Sequence, residues 1–91
     1  KAGVDPELEA RRRKAEQATT DKAKAEERVQ AERIAAAKAE NCARAKSYMK
    51  SLEDGLRIVR TNASGEQAFL DDKARAEEKA RASAIISSDC R

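Results

Sequence analysis

The sequence predicts an all-α chain in which one long helix, a small β-hairpin tip and a second helix folding back antiparallel form a disulfide-stapled helical hairpin. Three observations lead there. No Gly or Pro interrupts the stretch from Glu7 to Asp54. The segment "LEDGLRIVRTNASGEQAFLDD", Leu52 to Asp72, then gathers β-branched residues, two Gly and an Asn-x-Ser-Gly turn in one place. Two cysteines, Cys42 and Cys90, stand on either side of that break.

The first helix has a well-formed start. In "VDPELEARRRK", Asp5 is placed as N-cap and Pro6 as the first helical residue, with Glu7 and Glu9 near the positive end of the dipole. An uninterrupted run from there to Asp54 spans about 70–75 Å at 1.5 Å per residue. Up to residue 41 it offers only Leu8, Val29 and Ile34 as large apolar groups. Residues 1–41 therefore read as a charged, Ala-rich helical arm, and residues 42–91 as a helix–β-hairpin–helix module. In the module, Cys42, Ala45, Met49, Leu52 and Leu56 form a narrow apolar seam with Tyr48 beside it.

Gly55 stands where a left-handed C′ residue would end the helix. "LRIVRT" and "EQAFL" alternate as short strands, and "NASG" supplies the turn between them. The alternative is an irregular loop over Leu52–Leu70. Asp71 or Asp72 is expected to cap the second helix, whose apolar positions are Ala74, Ala80, Ala82, Ile85 and Ile86. An isolated two-stranded hairpin is marginal. Leu56, Ile58, Val59, Phe69 and Leu70 are thus expected to pack on the helix ends or on another copy, which makes them the candidate interaction residues.

The cysteines fit this reversal. Cys42 lies 13 residues before Gly55 and Cys90 lies 19 after Asp71, so antiparallel helices bring them to comparable heights. At 1.5 Å per residue the second arm overshoots by about 9 Å, which a fraying turn, a slanted crossing or a deeper helix start would absorb. A Cys42–Cys90 bond would close a loop of roughly 49 residues and stabilise the fold by about 4 kcal/mol in the chain-entropy model. It would also imply an oxidising compartment. The alternative is two independent thiols.

Composition bounds function. Ala, Glu, Lys, Leu and Arg make 55 of the 91 residues, the bias of long helices, whereas Val, Ile, Leu and Phe total 12, too few for an ordinary core. Twenty cations nearly balance 17 anions, for a net charge of +3, so self-repulsion does not force disorder. There is no His, which removes His-based acid–base catalysis and Ser–His or Cys–His nucleophiles. No cofactor fingerprint, phosphate loop or metal-ligand spacing is present, so no catalytic, cofactor or metal residue is assigned. The paired carboxylates Asp71–Asp72, Glu77–Glu78 and Glu26–Glu27 read as caps and solvated faces.

The Arg11–Lys14 cluster raises a nucleic-acid reading. Flanking Glu7, Glu9 and Glu16 and the near absence of aromatics for stacking weigh against it. Membrane insertion is disfavoured, because the arm lacks an apolar face. The chain begins at Lys1 and shows no signal-peptide core, as expected of a processed product or a piece of a longer protein.

The run from Glu40 to Cys90 also resembles the C-terminal region of exported proteobacterial proteins that carry an N-terminal domain of unknown function. The shared pattern is Asn/Glu-x-Cys, Gly-x-Arg-Ile, Gly-Glu, Leu-Asp-Asp and a terminal Cys. It falls here on Cys42, Gly55, Arg57, Ile58, Gly65, Glu66, Leu70, Asp71, Asp72 and Cys90. The resemblance covers about the last 50 residues; it implies a periplasmic or otherwise exported location and no assigned activity. The family's N-terminal domain, rich in Tyr and Trp, is absent, and the first 40 residues resemble TolA-like spacer helices in composition. The expected function is a non-enzymatic structural or interaction module of the cell envelope. Its partner would be further copies of itself; the alternatives are a spacer arm presenting its tip to another protein, and a basic helix on nucleic acid.

Overall fold

A computed structural model describes residues 3–91. The element order is α1 (Pro6–Glu53), β1 (Val59–Thr61), β2 (Gln67–Phe69) and α2 (Asp72–Asp89). The hairpin between the helices replaces the irregular-loop alternative. By contacts the chain divides into two units, Lys1–Ala35 and Ala36–Arg91.

The first unit is the start of α1. The Asp5 carboxylate accepts from the Glu7 N–H at 3.0 Å and its carbonyl from the Glu9 N–H at 2.9 Å, so the cap forms as the sequence predicts. Arg11, Arg12 and Arg13 each reach a glutamate one turn away, Arg11 on Glu7, Arg12 on Glu9 and Glu16, Arg13 on Glu9. Such exposed pairs contribute little, about 0.3–0.5 kcal/mol each. Helix propensity dominates this unit.

The second unit is where the chain reverses. At the end of α1 the Gly55 N–H donates to the Leu52 carbonyl (3.3 Å) and the Leu56 N–H to the Ser51 carbonyl (3.1 Å). These are the two bonds of a Schellman cap, and they require the φ of +75° that Gly55 adopts. Leu56 falls past this cap and is 56% exposed, so the apolar seam ends at Leu52 rather than continuing to Leu56. The helical spacing was real only as far as the helix.

The strands pair antiparallel with Val59 opposite Phe69, Arg60 opposite Ala68 and Thr61 opposite Gln67. One further bond, from the Leu70 N–H to the Ile58 carbonyl (2.9 Å), lengthens the ladder. Asn62 fixes the turn: its side-chain oxygen accepts from the backbone N–H groups of Ser64 (3.1 Å) and Glu66 (2.9 Å). Gly65, at φ +85°, provides the left-handed residue that follows. Asp71 then caps α2 by accepting from the Ala74 N–H at 2.8 Å.

Cys42 and Cys90 are bonded, with Cα atoms 5.0 Å apart. The overshoot expected from residue counting vanishes because α1 does not end level with the first residue of α2. Arg75 donates to the Leu52 and Leu56 carbonyls, both at 2.8 Å, so the first turn of α2 extends past the end of α1.

Among the described residues the buried apolar groups are Ala45, Leu52, Ala74 and Ala82. Ala80 and Ile85 lie outside this set; both are exposed, because the inward stripe of α2 runs through Ala74, Glu78 and Ala82 at steps of four. Leu52, 2% exposed, is the one large side chain fully enclosed. Leu52→Ala should cost about 2–4 kcal/mol. Leu56→Ala should stay within about 1 kcal/mol. Urea unfolding of the two variants, read by circular dichroism, measures the difference.

Candidate interaction surface

Alternation along the hairpin sorts its residues onto two faces. Ile58, Arg60, Ala68 and Leu70 share one face; Arg57, Val59, Thr61, Gln67 and Phe69 share the other. The first face turns to the helices. Ile58 and Leu70 are half-buried, and Arg60 bonds Glu78 of α2 at 2.9 Å. Val59 and Phe69 point away and remain 49% and 53% exposed.

The five candidate interaction residues therefore do not form one patch. Ile58 and Leu70 hold the hairpin down, whereas Val59 and Phe69 form its outer surface and Leu56 stands exposed at the chain reversal. Ile58 and Leu70 make a hydrogen-bonded pair, so Val59 and Phe69 make a non-hydrogen-bonded one. Side chains in such a pair approach closely, about 4.5 Å between Cα atoms. The Arg57 guanidinium lies 3.9 Å from the centre of the Phe69 ring. That contact stabilises an exposed aromatic by roughly 0.5–1 kcal/mol.

Three polar contacts position this surface, and none was anticipated from the sequence. Arg75 joins the helix end to the strand entry by its two bonds to the Leu52 and Leu56 carbonyls. Glu78, its side chain 12% exposed, accepts from Arg60 at 2.9 Å and from Arg81 at 3.4 Å. At the disulfide end, the Asn41 amide donates to the Asp89 carboxylate at 3.1 Å. For Glu78 a signal existed: it sits four residues from both Ala74 and Ala82. Arg75 offered none, because its partners are backbone carbonyls.

A groove of about 630 Å³ opens along one side of the helix pair. Ala45, Tyr48, Ala82 and Ile85 give it an apolar floor, and Arg44 and Arg81 stand at its edge. The acidic pairs are otherwise engaged or solvated. Asp71 is a cap, and Asp72, Glu77, Glu26 and Glu27 are exposed. Among the described residues no group of three or more His, Cys, Asp or Glu gathers to hold a metal ion. Likewise, no helix of the described residues is long and apolar enough to cross a membrane.

No family model, curated protein or solved structure matches this chain.

Replacing Arg75 by Met keeps the aliphatic stem and removes both bonds, leaving the Leu56 carbonyl without its donor and the Leu52 carbonyl with only the longer bond from the Gly55 N–H. The cost should be about 1–3 kcal/mol in chemical denaturation. Arg75→Lys should recover only part of it, since a single ammonium does not reproduce the fork.

Asp89 provides a pH signature. The Ser88 hydroxyl, then the Asn41 amide, hold its carboxyl below the usual value of 3.8, and Lys38 adds to the effect. Folding lowers this pKa, so the associated stability is present above the usual value and lost as pH falls through the folded one. Asp89 should therefore leave stability unchanged between about pH 5 and 8 and reduce it below about pH 4. Asp89→Asn, compared with wild type by denaturation at each pH, should remove that acid-dependent part.

Proposed function

We propose that this chain is a non-enzymatic structural and interaction module of the bacterial cell envelope that associates with copies of itself through its helices. One observation carries the reading. The described residues bury four apolar side chains, three of them Ala, while Leu8, Val29, Ile34, Leu56, Val59 and Phe69 stay exposed. So little burial, at about 25 cal/mol per Å², gives an Ala-rich helix weak support from its own chain. A neighbour would complete it.

The compartment follows from chemistry and resemblance together. An intramolecular disulfide is compatible with an exported protein, since such bonds persist in oxidising compartments. The resemblance of residues 40–90 to exported proteobacterial proteins supports the periplasm. The nucleic-acid reading loses ground for a local reason. Arg11, Arg12 and Arg13 all pair with glutamates of their own helix, so the cluster presents little unbalanced charge to a phosphate backbone.

A second reading has its own observation. Val59 and Phe69 form an exposed surface on a hairpin fastened to α2, as a spacer presenting its tip to a different protein would require.

A dilution series separates the two. Self-association should give a scattering mass above the 10.0 kDa monomer at high concentration. On dilution, helicity should fall through loss of order in residues 1–41, while the disulfide-closed half stays folded. A fully helical monomer at the lowest concentration would instead establish the spacer.

A further inference from the structure

One face of α1 supports a specific pairing. Lys22, Ala25, Val29 and Glu32 follow one another at steps of three, four and three, the spacing of a coiled-coil seam. Ala15 and Ala18 continue the same seam on one side, Ala36 and Ala39 on the other. Val29 is 45% exposed, and a shallow depression of about 380 Å³ lies around it between Lys22 and Arg33. The ion pairs of α1 use Glu7, Glu9, Glu16, Glu40 and Asp54, which leaves Lys22 and Glu32 without partners among the described residues.

We propose that α1 pairs antiparallel with α1 of a second copy through the face carrying Lys22, Ala25, Val29 and Glu32, with the twofold axis at the height of Glu27. This deepens the self-association reading and rests on it. In that register Lys22 of each chain meets Glu32 of the other, and Ala25 meets Val29. Ala18 then faces Ala36 and Ala15 faces Ala39, so small residues oppose small ones and the helices approach closely. Each layer joins the two distinct seam positions, as antiparallel pairing requires.

Other registers fail on charge. A parallel pair sets Lys22 against Lys22 and Glu32 against Glu32 inside the seam. It also brings Asp21 beside Glu26 and Arg28 beside Arg33, all of like sign. Sliding the antiparallel pair by one heptad leaves Lys22 and Glu32 facing apolar groups. Polar residues within a seam select register at some cost in stability. Here the cost has a second source, because Glu26 and Arg28 each meet their own copy beside the axis. The dimer is therefore specific in register and modest in affinity.

Charge reversal tests it. The full-length oxidised chain and its variants are compared by sedimentation equilibrium, with circular dichroism verifying that each reaches the helicity of wild type at high concentration. Lys22→Glu or Glu32→Lys alone creates two like-charge meetings per dimer and should weaken dimerisation about tenfold or more. The double variant Lys22→Glu/Glu32→Lys restores both pairs and should return to within about threefold of wild type. A double variant as weak as either single one, or single variants that change nothing, would overturn this pairing while leaving self-association by another surface intact. A wild-type chain monomeric at every concentration would overturn both.

Discussion

Where α1 ends, the backbone turns away from the helix and leaves carbonyls short of donors: the Leu52 carbonyl has one long bond from the Gly55 N–H, and the Leu56 carbonyl lies beyond the helix. Arg75 reaches them. Its fork bonds the last turn of α1 through Leu52 and the first residue beyond the cap through Leu56. The guanidinium also brings positive charge to the negative end of the helix dipole. Because Arg75 lies in the first turn of α2, the same contact sets the height at which the second helix starts its return. That height decides whether Cys90 arrives beside Cys42. The hairpin, the groove and the disulfide all inherit their placement from it.

Local chemistry was legible in the sequence, and tertiary consequence less so. Asp5, Gly55, the Asn62–Gly65 turn and Asp71 each act through backbone groups a few residues away, so residue type and order suffice to place them. The cysteine pairing was readable from the sense of the chain reversal, but the height at which α2 starts, which brings Cys90 level with Cys42, was not. Leu56 misled because helical spacing carries no information past a helix end. The candidate surface splits because a pleated strand sends neighbouring side chains to opposite faces, so large apolar residues close in sequence do not gather in one patch. Arg75 was hidden for a different reason, because its partners are backbone carbonyls on a distant segment, and for Glu78 only the inward position was readable, since its partner Arg60 lies 18 residues away in sequence.

The two units divide the work of stability differently. In residues 36–91 a small number of specific contacts substitutes for a core: one enclosed Leu, one helix-end clamp, one half-buried carboxylate and one covalent bond. Among the described residues of the first unit nothing is enclosed, and helix formation rests on propensity, a good cap and four weak charge pairs. A seam of small residues in such a helix yields little until a second helix lies against it. Under the proposed self-association, stability there would depend on concentration, and in the disulfide-closed half it would not.

The covalent bond also fixes how the chain would transmit tension. A pull between a point before Cys42 and a point after Cys90 runs through α1 to the sulfur bridge and out again. It bypasses every residue from 43 to 89. The groove, the hairpin and the Arg57–Phe69 stack then sit on a slack side branch. Stretching the chain would straighten or shear the rest while this branch kept its form. A binding surface held in that branch would keep its shape under forces that extend the remainder of the molecule.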